Sequence, residues 1–244
     1  MCGRFTRTSQ RDTLVAEFGI AQFVNVDLHP RYNIAPSLTV EAIVRDGEQK
    51  RLGPMRWGFT SPSGTGRRAI NARAETAATA PLFRDAFRRH RCLVIADGFY
   101  EWRTDGQQRI PYYIHLRSGR PFGFAGIWST FHSAMGQRIT TCAIITCPPN
   151  ELMATIHNRM PVILPPAVRD RWLEPHAEVR DLSAMLTPLP SEEMEAYEVS
   201  TFVNSPRNDS PECVRRRPAS QRTDGMKLRA VPGGGNSGDH DQDH

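Results

Sequence analysis

Lysine is almost absent from this chain: of its 31 basic residues only Lys50 and Lys227 are lysine, and all the others are arginine. Amine chemistry through a side chain therefore has two candidates. No run of about 18 apolar residues occurs, and the N-terminus lacks the charged-then-apolar pattern of an export signal. A cytoplasmic location with no membrane partner is the resulting expectation. Cysteine is sparse and odd in number: Cys2, Cys92, Cys142, Cys147 and Cys213 show neither paired CxxC spacing nor a histidine at finger-like separation. This argues against a disulfide framework and against structural zinc. A phosphate loop is missing too, because GTGRR at 64–68 lacks the required spacing. No metal, no nucleotide and no other cofactor is expected.

What the chain does contain is enough apolar material for one well-packed domain, with 39% hydrophobic residues in 244. Its formal charge of +5 favours an anionic partner. Arginine suits phosphate because its planar fork donates two hydrogen bonds at once, although an arginine-rich proteome gives the same bias.

Apolar content and alternation predict strands at 40–45, 51–59, 92–96, 112–116, 122–128 and 139–146. Helices are expected over 9–19, 81–91, 149–156 and 166–173. In the first of these Ser9 and Asp12 resemble a capping box, and Leu14, Val15 and Phe18 recur at helical spacing. The proline opening the second and its apolar face of Leu82, Phe83, Ala86 and Phe87 support that helix. The succession predicts an α+β fold: a single domain, residues 2–214, around a largely antiparallel, barrel-like β-sheet with peripheral helices. Cys92 and Cys142 read as small core residues. From Arg215 onward apolar periodicity stops, and 215–244 reads as a disordered tail in which Arg215 to Arg217 add weak attraction for an anion. Its terminal Asp and His residues could hold a metal loosely, but a solvated tail or an expression scar is the simpler reading.

The chain opens Met-Cys-Gly-Arg-Phe-Thr. A small second residue predicts removal of Met1, which leaves Cys2 with an α-amine and a thiol on adjacent carbons. With ordinary pKa values of about 7.7–8.0 and about 8.5, free amine and thiolate coexist near neutrality. An aldehyde meeting that pair forms a Schiff base with the amine, after which sulfur closes a five-membered thiazolidine ring. The bland alternative is an incidental cysteine at an arbitrary start.

Six blocks then occur in order: MCGRF, RYNIAP (31–36), RWGF (56–59), INARAET (70–76), ADGFYEW (96–102) and IHNRMPVIL (156–164). Together they resemble the SOS-response-associated peptidase (SRAP) family, the abasic-site processing proteins, over residues 2–204. The resemblance implies a protein that senses abasic sites in single-stranded DNA and crosslinks to them as a thiazolidine, shielding the lesion. It implies Cys2 as the nucleophile attacking C1′ of the ring-opened sugar and Glu101 as a proton-transfer group in opening the hemiacetal. His157 would handle the Schiff base and reversal of the linkage. Asn71 would orient the Cys2 amine or the sugar hydroxyls. For DNA binding the same resemblance suggests Asn33, Arg4 and Arg73, the last two as phosphate ligands, Trp57 and Trp102 as stacking faces, and Pro36 and Leu82 as apolar wedges. Without it, Glu101 reads as an exposed strand-end carboxylate, His157 as structural, Asn71 as a turn residue and the tryptophans equally as core. Asn158 departs from the pattern, since family members often have Asp after the histidine. A monomer acting in the nucleoid completes the expectation.

Other classes remain open. Glutamine amidotransferases also begin Met-Cys-Gly and use the freed cysteine, but they need an acceptor domain for which this chain has no room. A peptidase, including one that removes its own Met1, fits the same freed terminus. In a non-catalytic single-strand binding module Cys2 would be inert. A lysine-based lyase is disfavoured because neither Lys50 nor Lys227 lies in any of the six blocks.

Overall fold

The computed structural model describes residues 2–64, 68–218 and 220. Five strands close into a barrel: Thr39–Asp46, Gln49–Trp57, Arg91–Ala96, Phe122–His132 and Arg138–Cys147. Neighbours pair antiparallel except at one seam, where Arg56 and Trp57 run parallel to Thr141 and Cys142 and complete the ring. So few strands leave no lumen, and side chains fill the interior. Val40, Ala42, Val94, Phe124, Ile127, Cys92 and Cys142 are all fully buried, the two cysteines as expected. Packing is tight enough that a Cβ on Gly126 would stand 2.8 Å from the Cys92 sulfur.

A second, wholly antiparallel sheet packs against the barrel. Its order is Met194–Glu198, Gln108–Leu116, Gly98–Asp105, Phe5–Arg7, Arg31–Ile34. The chain passes from barrel to sheet across one residue, Asp97, between Arg91–Ala96 and Gly98–Asp105. Its carboxylate accepts the backbone N–H groups of Thr8 and Ser9 at 2.5 and 3.0 Å and the Ser9 hydroxyl as well. Gly98 follows because a Cβ there would lie 2.3 Å from the Tyr113 ring. The N-terminal strand is buried at all three positions. Phe5 packs edge-on against Trp57 and Phe124 at 5.1 and 5.8 Å between ring centroids.

All six expected strands exist, each somewhat longer or shifted. The expected helix at 9–19 forms over Arg11–Phe18, but the anticipated cap does not: Gln10 occupies the cap position without a side-chain bond. Ser9 gives its hydroxyl to Asp97 instead. Gly19, at φ +64°, terminates the helix as a left-handed residue. The 81–91 and 149–156 helices shrink to Arg84–Arg89 and Glu151–Ala154, whereas Pro166–Leu173 matches its expected bounds.

The boundary at 214 is also corrected. Arg216 bridges Val199, the Arg217 N–H donates to the Glu198 carbonyl at 2.9 Å, and Arg215, Arg216 and Arg217 pair with Glu212, Glu195 and Glu198. Carboxylates thus already engage the three arginines expected to attract an anion. The rest of the expected tail, Lys227 included, lies outside the described residues apart from Pro218 and Ser220. Among the described residues no helix is long and apolar enough to cross a membrane.

Trp57 sits at the seam of the barrel, fully buried, with its indole N–H donating to the Ile70 carbonyl at 2.9 Å. Trp57→Ala should therefore lower the unfolding free energy by about 3–5 kcal/mol, as truncation of a large core aromatic does. Urea denaturation of the two proteins measures this, and a loss below 1 kcal/mol would show that the seam does not depend on the indole.

Candidate active site

The register of the N-terminal strand builds the site. Phe5 stands opposite Phe99, and the Tyr100 N–H donates to the Arg4 carbonyl at 3.0 Å. Continued by two residues, the same antiparallel count carries Gly3 opposite Glu101 and brings Cys2 to the end of the strand. A cleft of about 550 Å³ opens there. Gly3, Glu101 and His157 line it, and Arg4, Pro36, Trp102, Arg109 and Asn204 complete its walls.

Cys2 is fully buried. Burial raises its thiol far above the ordinary range, the negative charge of Glu101 adds to the effect, and the Arg4 backbone N–H pulls back only in part. At neutral pH the sulfur is thus a protonated thiol. Glu101 is buried too, so the expectation of an exposed strand-end carboxylate in the absence of family is overturned. Desolvation holds its carboxyl above the usual glutamate range, opposed by neighbouring positive charge that includes His157. The two buried acids are close enough for the charge of Glu101 to act on the Cys2 thiol.

Asn71 lies on the short strand Asn71–Arg73, which runs parallel to the barrel strand Arg138–Cys147. Its amide N–H donates to the Cys2 carbonyl at 2.9 Å. Its Oδ1 is buried with no hydrogen-bond partner among the described residues. Such an orphan acceptor typically costs about 1–3 kcal/mol. His157 follows the helix Glu151–Ala154, and its Nδ1 accepts the Arg159 N–H at 3.1 Å. The same Nδ1 lies 3.2 Å from the Arg159 carbonyl, to which the Nδ1–H tautomer would donate instead. Arg159 itself forks onto both oxygens of Glu75.

The remaining expected residues divide. Arg4 is half-buried in the cleft wall, its guanidinium donating to Asn33 Oδ1 at 2.8 Å and to the Val203 and Asn204 carbonyls at 2.9 and 3.2 Å. Trp102 is partly exposed between Arg4 and Arg109, whose guanidinium carbons stand 5.9 and 5.7 Å from its ring centroid. Its indole N–H donates to Asn204 Oδ1 at 2.8 Å. Pro36 lines the cleft. Trp57 does not: fully buried, it offers no face to a base, and the expected stacking role is corrected to core packing. Asn33, also buried, spends its amide inside the protein on Arg4 and the 203–208 segment, so direct DNA contact is corrected as well. Arg73 is exposed and Leu82 packs on the barrel core; neither lines the cleft.

Arg109 and Asn204 were missed by the sequence reading. Asp105-Gly106 is a hairpin-turn signal that places Arg109 diagonally across from Trp102, so the first was accessible from the sequence. Nothing local marks Asn204, which arrives from the far end of the chain.

Barrel, sheet and cleft together match a known class of proteins: the model of one family, SOS response associated peptidase (SRAP), covers residues 1–206. The chain belongs to that family. It is 45% identical over 221 residues to the abasic site processing protein YoqW of Bacillus subtilis, covering 88% of this chain and 99% of that one. Identity to the abasic site processing protein YedK of Escherichia coli is 28%, with the same coverage. A crystal structure of a protein from Bacteroides thetaiotaomicron superimposes with a TM-score of 0.80 at 27% identity, covering 89% of this chain and 100% of that chain.

Because folding raises the Glu101 carboxyl above its ordinary 4.5, the folded protein holds that proton more tightly than the unfolded chain does. Stability is then lost as pH climbs from 4.5 through the raised value. Glu101→Gln removes that loss. Its thermal unfolding at pH 7 should occur at a higher temperature than that of the unaltered protein, with the gap narrowing as pH falls below 4.5. A lower unfolding temperature at pH 7 would mean that the site stabilises the carboxylate.

Proposed function

We propose that this chain processes abasic sites in single-stranded DNA, and that it holds the lesion covalently through Cys2. The observation that carries the reading is a cleft lined by Gly3, Glu101 and His157 and walled by arginine and tryptophan, with the buried Cys2 next in the chain to Gly3. The relatives reported above are named abasic site processing proteins, which supports an abasic site as the substrate.

The chemistry needs the α-amine of Cys2, so removal of Met1, which lies outside the described residues, is part of the proposal. The protein's own thiol would be one agent of that removal. An abasic sugar opens from hemiacetal to aldehyde when its C1′–O4′ bond breaks, the C1′ hydroxyl giving up a proton and O4′ taking one up, a transfer suited to Glu101. The amine adds to C1′ and water departs, giving the Schiff base. Sulfur then bonds to C1′ while the thiol proton passes, by way of Glu101 or His157, to the nitrogen. Aldehyde and aminothiol become thiazolidine and water, with no change of oxidation state.

The thiol's raised pKa sets the order of these steps: a neutral buried sulfur is a poor first nucleophile, and the amine leads. Asn71 Oδ1 supplies an acceptor for the ammonium or a sugar hydroxyl. Arg4 and Arg109 suit phosphates, and the part-exposed Trp102 indole suits the flat face of an unpaired base.

Incubation with an oligonucleotide carrying one abasic site should give an adduct that survives denaturing electrophoresis, and intact DNA of equal length should not. Cys2→Ala should give no stable adduct. A peptide extension ahead of Cys2 should abolish the reaction, and enzymatic removal of that extension should restore it. Normal yield from the extended protein would mean that the amine is dispensable and a simple thiol adduct forms. Release of ammonia from glutamine, with no adduct, would move the assignment to an amidotransferase. Glu101→Gln should slow adduct formation by something like 10²-fold with affinity for intact single strands nearly unchanged.

A further inference from the structure

After the strand Met194–Glu198 the chain turns back along the cleft through two short 3-10 segments, Thr201–Asn204 and Pro211–Val214. This strap holds both walls. The Val203 and Asn204 carbonyls fix the Arg4 guanidinium, and the Asn204 side chain fixes the Trp102 indole. What fixes the strap is the edge strand Arg31–Ile34. The Asn33 amide donates to the carbonyls of Val203, Ser205 and Asn208 at 3.1, 3.0 and 2.7 Å. From the strap side one carboxylate answers: Asp209 Oδ1 accepts the backbone N–H groups of Tyr32 and Asn33, the latter at 3.1 Å. Its Oδ2 lies 4.0 Å from Arg31 Nε.

We infer that Asp209 is a positioning residue for the cleft: it clamps the strap to the edge strand and thereby sets the affinity for DNA without touching it. Asp209 lies just past residue 206, where the family match ends. The pairing of this edge strand is irregular between Phe5 and Arg7, the consecutive Tyr32 and Asn33 amides both face the strap, and a charged acceptor satisfies both at once. Without it the strap would still connect to the sheet through Asn33, but the carbonyls facing Arg4 would lose their fixed spacing. The inference rests on the reading of Arg4 and Trp102 as DNA ligands.

The test uses the full chain with Cys2 exposed and three variants, Asp209→Ala, Asp209→Asn and Arg4→Ala. Affinity for an intact single-stranded oligonucleotide is read by fluorescence anisotropy, and thiazolidine formation with free 2-deoxyribose is read by intact mass. The small sugar needs Cys2 and Glu101 but no phosphate-binding wall. Asp209→Ala and Arg4→Ala should each weaken oligonucleotide binding about tenfold, a change of about 1.4 kcal/mol. Asp209→Ala should react with 2-deoxyribose at the unaltered rate, and Asp209→Asn, which keeps an oxygen to accept both amides, should restore the affinity.

If Arg4→Ala weakens binding while Asp209→Ala does not, the inference is overturned and the functional reading stands. If Arg4→Ala leaves binding unchanged, the assignment of Arg4 as a ligand fails and the inference fails with it. If Asp209→Ala loses both oligonucleotide affinity and reaction with 2-deoxyribose, Asp209 serves the fold as a whole and positions nothing in particular.

Discussion

The Arg7 guanidinium is completely withdrawn from water, and it is neutralised by Glu41 at 3.3 Å and by the carbonyls of Asp27, Leu28 and His29 at 3.2, 2.9 and 2.7 Å. A charge buried in this way costs several kcal/mol unless every partner is in place. The contact therefore commits the strand Phe5–Arg7 to one register. A slip by a single residue would turn Phe5 away from Trp57 and Phe124, strand the guanidinium, and carry Cys2 off the end of the strand away from Glu101. The place of Cys2, Gly3 and Arg4 beside the cleft follows from this pairing two turns of pleat away.

Against that rigid frame the site itself is costly. It places a thiol, a carboxyl and an amide oxygen in nearly dry surroundings, with Asn71 Oδ1 lacking a donor among the described residues. The Asn71 oxygen is a local violation of the rule that buried polar groups are satisfied. Such violations gather where a fold gives up stability for reactivity, and the aromatic packing around Phe5 and Trp57 is well placed to offset them.

The sequence revealed the two halves of the fold unequally. All five barrel strands were found, because runs such as CLVIA and CAIITC are aliphatic and sharply bounded. Of the second sheet only Gln108–Leu116 was anticipated, and this is the sheet that carries the chemistry. Its other members are short or polar, such as FTR and RYNI, or hold their glutamate among aromatics, as GFYEW does, so periodicity has little to act upon. The reactive residues were visible through ordered motif blocks, whereas their burial was not. Two tryptophans of similar local appearance took opposite fates: Trp57 entered the barrel seam and Trp102 stayed on the cleft wall. Composition cannot separate them, since the difference lies in which strand crosses above. Asn33 was legible as a site residue but not as one that works through Arg4.

The wall of the cleft joins residues that are far apart in the chain: Arg4 and Val203 are separated by 199 positions. A nascent chain makes Cys2 long before the strap. At synthesis rates of about 5–20 residues per second, the reactive end waits on the order of ten seconds or longer before its enclosure can be assembled. On the proposed chemistry, an aminothiol uncovered during that interval would face the cell's small aldehydes with no cleft to choose among them. On the proposed chemistry, the timing of Met1 removal relative to release of the strap would then decide how many molecules reach maturity with a usable terminus.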